Sequence, residues 1–262
     1  MIILKTPQEI EQLRVCNQIV AQVLNKLKGI ITPGITTREL DKISEQSIRK
    51  LGAIPAFKGY RGFPASLCTS VNEQIVHGIP DGRKLKGGDI VSLDLGAKVG
   101  EFYGDAAITM AVGNIGNRAE ALLKVTEEAL YKGIEQAVVG NRLSDISQTI
   151  QSWVERHGFS VVRDFVGHGI GKDLHEEPQI PNFGTPVPNS LLQEGMVLAL
   201  EPMVNEGSYE VTILPDGWTA ITTDGKLSAH FEHTIAVTNK GPVILSQCEV
   251  SNNCTFQAPH LK

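Results

Sequence analysis

Residues 88–110 read GDIVSLDLGAKVGEFYGDAAITM. Ile90-Val91-Ser92-Leu93 and Ala106-Ala107-Ile108-Thr109-Met110 have the composition of two buried strands, and each arm carries an aspartate, Asp94 and Asp105. Such runs separated by a short glycine-containing stretch predict a β-hairpin. A reversal at Val99-Gly100, with glycine taking the positive φ that a two-residue turn requires, sets Asp94 directly opposite Asp105. Their Cβ atoms then lie roughly 4.5–5.5 Å apart, which is destabilising for two carboxylates unless a proton or a cation stands between them.

Outward from this hairpin the chain is organised by helix signals. Thr6-Pro7-Gln8-Glu9 is a capping box with proline at the first helical position. Ile10, Leu13, Cys16, Val20, Val23 or Leu24 and Leu27 follow at helical spacing, up to Gly29. A second helix begins near Thr37 and carries Leu40, Ile43, Ser47 and Leu51 on one face before Gly52. The order repeats with helices expected at 117–139 and 144–157, so helix starts recur at an offset of about 110 residues. The second half has its own apolar strand, Met196-Val197-Leu198-Ala199-Leu200, ending in Glu201, and a strand expected over 229–237 that carries Glu232. Turns at Asp216-Gly217 and Thr223-Asp224-Gly225 insert an extra hairpin between them. Two similar αα-plus-sheet halves, about 3–113 and 114–249, are expected to face each other as a single catalytic domain 1–249. Residues 250–262 lack periodicity and are expected to form a surface tail.

Composition sets outer limits. With 262 residues and 41% apolar side chains the chain can bury a full core. A formal charge of -5 and a pI near 5.8 give no basic footprint for nucleic acid or an anionic membrane surface. Cys16, Cys68, Cys248 and Cys254 show no metal-ribbon spacing, and neither a signal peptide nor a spanning apolar run is present. The expected location is a reducing cytoplasm.

Any one carboxylate on a strand usually faces solvent, but these four acids lie in or beside β-branched and leucine-rich runs. There an unpaired buried carboxylate costs several kcal/mol or takes up a proton. His168 sits in Val166-Gly167-His168-Gly169-Ile170-Gly171, where flanking glycines bring backbone close to something and leave the ring facing a cavity. Oxygen ligands plus one imidazole suit a pair of divalent cations of the Mn, Fe, Co or Zn type. His77 in VHGIPDG and His175 in HEEPQIP stand in turn-like contexts, where a histidine is as often a surface residue as a catalytic one. His157 and His260 are assigned to a helix end and the tail.

The set Asp94, Asp105, His168, Glu201 and Glu232, inside VHGIP, GHGIG, HEEP, LEPM and EHT, resembles the type I methionine aminopeptidases, from about residue 3 to 247. The resemblance implies the α/β (α+β) pita-bread fold and two divalent metal ions. Asp94 would hold one ion, His168 and Glu201 the other, and Asp105 and Glu232 would bridge both, with the ion pair activating water and clamping developing charge. Glu201 would handle the proton, His175 would stabilise the oxyanion, and His77 would contact the nitrogen beyond the cleaved bond. The methionine pocket would comprise Tyr60, Phe63, Cys68, His77, Leu174, His175 and Trp218. Phe63, Leu174 and His230 depart from the tyrosine, phenylalanine and glutamine frequent in that family.

The implied function is removal of N-terminal methionine from new proteins whose second residue is small, at the ribosome, by a monomer. A binding protein that lost the chemistry would lack ligands, and none is missing. A prolidase-like relative would carry a large extra amino-terminal domain, for which a first helix at Thr6 leaves no room. A type II relative would show a long insertion, which does not appear, and no amino-terminal zinc-binding or polybasic extension is expected before the catalytic region.

Overall fold

A computed structural model describes residues 1–184 and 189–248. The expected tail, 250–262, lies outside the described residues.

Helices α1 (Pro7–Lys28) and α2 (Thr37–Lys50) both start at capping boxes: the Thr6 and Thr36 hydroxyls accept from the Glu9 and Glu39 amides, and each glutamate reaches back to the threonine N–H. Each box satisfies amide groups that a helix start otherwise leaves orphaned. The predicted stripe of α1 is the one that packs, with Leu13, Cys16, Val20 and Leu27 fully buried. Helices α3 (Asn117–Glu135) and α4 (Leu143–Arg156) are their counterparts in the second half. Helix α3 stops four residues before the expected Val139. The Gln136 and Ala137 amides turn back to the Gly133 and Ile134 carbonyls, tightening the last turn, and Gly140 at φ 94° redirects the chain. Ala137 is buried beyond the helix end, so the apolar run Ala137-Val138-Val139 imitates helical periodicity without extending it.

The helices cover a nine-stranded antiparallel sheet. Its centre is the hairpin Ile90–Val99 and Phe102–Ala111, paired along its whole length from Ile90↔Ala111 to Val99↔Phe102. The register differs from the sequence expectation: Asp94 pairs with Ala107 and Asp105 with Gly96. Gly100, at φ 58°, takes the first central position of the turn rather than the second, and Glu101 follows it. Glycine first is the type II′ arrangement. The displacement moves the pairing by an even step, so both aspartates keep the same face and become diagonal neighbours, roughly 7–8 Å apart instead of directly opposed.

The halves join where Glu232–Thr238 pairs with Phe102–Ala111 on one side, through Glu232↔Ala107 and His233↔Ala106, and with Val197–Leu200 on the other. The strand expected over 229–237 is two strands, Ser228–His230 and Glu232–Thr238, broken at Phe231. Ser228–His230 belongs to a separate three-stranded sheet with Met203–Asn205 and Ser160–Val161. The chain therefore leaves the main sheet twice at neighbouring points, after Leu200 and before Glu232, and the Phe231 amide bonds to the Pro202 carbonyl across the gap. The extra hairpin, Val211–Ile213 and Ala220–Thr222 around Asp216-Gly217, pairs with Gln74–Val76 and brings Trp218 against Phe63. Close packing of α1 against the central hairpin depends on Gly104, where a Cβ would stand 2.6 Å from the Asn17 amide nitrogen. Among the described residues no helix is long and apolar enough to cross a membrane.

Candidate active site and metal centre

Between the halves lies a cavity of about 140 Å³. Asp94, Asp105, His168, Glu201 and Glu232 line its floor, and Tyr60, Phe63, Cys68, His77, Leu174, His175 and Trp218 its walls and mouth. Every residue singled out in the sequence for chemistry or substrate contact thus faces one space.

The floor is built from four elements. Asp94 and Asp105 come from the rigid hairpin. Asp105 is held from both sides of its peptide: its amide donates to the Asn17 side chain of α1 at 3.2 Å, and its carbonyl accepts from Thr234 Oγ1 at 2.8 Å. Glu201 follows the end of Val197–Leu200, and Glu232 opens the strand beyond the break. His168 sits on the short strand Gly167–Gly169. Ligand-capable atoms of Asp105, His168 and Glu232 all lie within 4.8 Å of one another, and His168 Nε2 is 3.5 Å from Glu201 Oε1.

The electrostatics of this floor are unfavourable without a cation. Burial pushes the Asp94 carboxyl up to about 7. Burial, reinforced by mutual repulsion among the acids, carries Asp105, Glu201 and Glu232 well above the carboxylate range. Asp94 Oδ1, Asp105 Oδ1 and Glu232 Oε1 are sealed from solvent and receive no hydrogen bond. Buried polar atoms are almost always satisfied, and converging orphaned carboxylate oxygens match the donor set of a hard or borderline divalent cation. His168 completes the fit. Its Nδ1 lies 2.9 Å from the Gly169 carbonyl, which only accepts, so Nδ1 carries the hydrogen and Nε2 presents a lone pair to the acids. A backbone carbonyl fixing the tautomer in this way is the usual support of a metal-binding imidazole. Burial lowers the His168 pKa, which keeps the ring neutral.

The walls are aromatic and apolar. Trp218 meets Phe63 edge-to-face at 5.2 Å between ring centroids, and His77 stands edge-on to Phe165 at 5.3 Å. His77 adopts φ 60°, a conformation uncommon outside glycine, at the point where Gln74–Val76 ends. Cys68 pairs with Asp94 across strands, and burial followed by the Asp94 charge holds its thiol well above the ordinary value. At the solvent-exposed rim, His175 Nδ1 lies 2.9 Å from the Tyr60 hydroxyl, and the ring packs on His168 with centroids 4.2 Å apart. Desolvation of the packed ring, reinforced by the neighbouring His168 imidazole and the Arg61 charge, lowers its pKa to about 3, so His175 is neutral near pH 7.

Three neighbours of the site escaped the sequence reading. Phe57 and Arg61 line the cavity. His230, noted only as a departure from family pattern, is fully buried with Nε2 3.8 Å from Glu201 Oε2. Its backbone is bracketed by the Thr109 hydroxyl, which donates to the His230 carbonyl and accepts from its amide. The available signal was Ser92 and Thr109, two hydroxyls on the hairpin face that also carries Asp94 and Asp105, which contact each other at 2.8 Å.

Comparison with known proteins agrees with this geometry. Residues 11–239 match the model of metallopeptidase family M24. The chain is 58% identical to the methionine aminopeptidase of Clostridium perfringens over 94% of its own length and 99% of the relative's. It is 57% identical to methionine aminopeptidase 1 of Bacillus subtilis, covering 94% of this chain and 100% of that one. The crystal structure of a methionine aminopeptidase from Thermotoga maritima superposes with a TM-score of 0.92 at 48% identity, over 94% of this chain and all of that one. An Xaa-Pro dipeptidase from Bacillus anthracis, 22% identical with a TM-score of 0.77 over 95% of this chain and 63% of that one, shares the pita-bread fold alone. The chain belongs to metallopeptidase family M24 and, within it, to the methionine aminopeptidases.

Proposed function

We propose that this metallopeptidase removes N-terminal methionine in the cavity between its halves, holding two divalent cations, Co, Mn, Fe or Zn, on the five floor residues. The observation that carries the reading is the charge imbalance of the floor. Four carboxylates, three of them with buried oxygens that receive no hydrogen bond, surround one neutral imidazole lone pair, and two divalent cations would supply the matching positive charge. Asp94 would hold one ion and His168 and Glu201 the other, with Asp105 and Glu232, which stand on adjacent strands at the seam between the halves, shared between them. The cations supply an activated water and polarise the scissile carbonyl.

The chain's own groups do the rest. Glu201 moves the proton from the attacking water to the departing amine, and His77 contacts that amine's nitrogen from its positive-φ perch. With Tyr60 donating its hydroxyl hydrogen to Nδ1, neutral His175 keeps a hydrogen on Nε2 and directs it at the developing oxyanion. Phe63, Cys68, Leu174 and Trp218 form the apolar slot for the methionine side chain. A small second residue is required because the mouth is narrowed by Tyr60 and His175. The further reading is that residues 1–249 act as one catalytic domain, a cytoplasmic monomer that meets its substrates as they leave the ribosome.

Hydrolysis of Met-Ala-Ser and of Ala-Pro-Ala by chelator-treated protein, with and without added Mn or Co, tests this reading. Cleavage of the first alone, and only with metal, is the expected result. Cleavage of the second would move the chain to the proline-directed branch, and cleavage of neither would remove the catalytic assignment.

A further inference from the structure

The loop that presents His175 is tied down by a buried ion pair outside the cavity. Lys5, on the segment before α1, bonds through Nζ to Glu176 Oε2, and the two side chains are 3% and 6% exposed. Glu176 Oε1 accepts from the Lys172 amide at 2.8 Å and the Asp173 amide at 3.3 Å, closing the loop on itself. The Lys5 amide is pinned to the Gly195 carbonyl at 2.7 Å, next to Met196 and the strand Val197–Leu200 that leads to Glu201. The pair occupies the space above Gly171, where a Cβ would stand 2.3 Å from Glu176 Oε1 and 2.5 Å from Lys5 Cε. Glycine at 171 is therefore a condition of the contact.

We infer that Lys5 and Glu176 are positioning residues for catalysis: the pair fixes the loop Gly171–His175, and through it the distance of the His175 ring from the reacting carbonyl. The inference rests on the oxyanion role of His175 proposed above. A buried charge stripped of its partner is strongly destabilising, whereas a paired one with all its oxygens bonded holds one geometry. Glu176 adjoins His175 in the chain, so a loop released from Lys5 moves the ring directly. Misplacement by about 1 Å can cost roughly 10²-fold in rate.

The test is a double-mutant cycle. Lys5→Met should lower kcat about tenfold or more, with KM and bound metal unchanged. Made in the His175→Ala protein, the same substitution should change kcat less than about twofold, because the group it positions is gone. Lys5→Met/Glu176→Gln removes both charges while the amide oxygen still accepts from Lys172 and Asp173, so it should fold with a wild-type melting temperature to within a few degrees and still show the loss in kcat. Wild-type kcat in either Lys5 variant would overturn the inference. So would an equal fold-loss with and without His175, which would make the pair a structural brace only. A His175→Ala protein with wild-type kcat would instead overturn the oxyanion role, and the positioning role with it.

Discussion

The two halves deliver the same chemical group, a pair of carboxylates, by different means. In the first half Asp94 and Asp105 lie inside a hairpin paired without interruption from Ile90 to Ala111. In the second half Glu201 and Glu232 lie at ends, one just past Leu200 and the other just after the break at Phe231. A strand interior fixes a short side chain well. A strand end leaves room for a longer side chain and for other chain to enter, and here it admits His230 and the second sheet. The aspartates belong to the rigid wall of the site, and the glutamates to the wall to which the proposed proton transfer is assigned.

The largest expected effect tests whether the two walls meet through shared ligands. Asp105→Asn should reduce methionine release by roughly 10³-fold or more, since it removes a charge contacting both proposed ions. Metal-stripped Asp105→Asn should nevertheless be no less stable than metal-stripped wild type, because it also removes a buried carboxylate raised by desolvation and by Glu232. Thermal melts with chelator and with Mn decide the matter: equal metal-induced shifts in both proteins would break the shared-ligand assignment.

Next in size, His175→Ala should lower kcat by roughly 10²–10³ while metal content, measured by elemental analysis, stays at the wild-type level. Loss of metal in that variant would move His175 from the rim to the floor.

A smaller effect concerns pH. Asp94, Asp105, Glu201 and Glu232 all have folded-state pKa values above the unfolded ones, so between about pH 4 and pH 7 the metal-free folded protein holds more protons than the unfolded chain. The contribution of these groups is fully present below the unfolded pKa and is lost as pH rises through the folded values. Chelated protein should thus lose melting temperature relative to metal-loaded protein as pH goes from 5 to about 8. Asp94→Asn should flatten the difference, and a widening gap toward acid pH would reverse the sign of the assignment.

The smallest effect isolates the hairpin. Gly100→Ala places a side chain at φ 58°, which costs roughly 1–2 kcal/mol. It should lower the melting temperature by a few degrees and leave kcat unchanged, because the register is held by the ladder as well as by the turn. A large kcat loss would show that the turn alone aims the aspartates.

Much of this was legible in the sequence, and the failures have physical reasons. The capping box at Thr6, the stripe from Leu13 to Leu27 and the apolar face from Leu40 to Leu51 are local signals, and they predicted the first two helices. The hairpin was legible, but its register was read with Gly100 in the wrong turn position. The period of two kept both aspartates on one face, so the site survived the error. The break at Phe231 was illegible because the residues on either side are equally strand-like, and only the presence of a second sheet decides where the chain departs. Contacts between distant segments left the least trace: Lys5 with Glu176, and His230 with Glu201. Nothing near Lys5 in the sequence distinguishes it from a surface lysine.

The narrow seam at Glu232↔Ala107 and His233↔Ala106 also bears on when the enzyme comes into being. The Thr234 hydroxyl reaches back 129 positions to the Asp105 carbonyl, so closing the site requires a contact between segments far apart in the chain. Loop-closure entropy makes contacts of such separation slow to form. As synthesis proceeds, the first half can complete its own hairpin and helices long before Glu232 is made. A nascent chain therefore lacks Glu201 and Glu232 until most of its synthesis is done, and hydrolytic competence cannot arrive before the final strands dock.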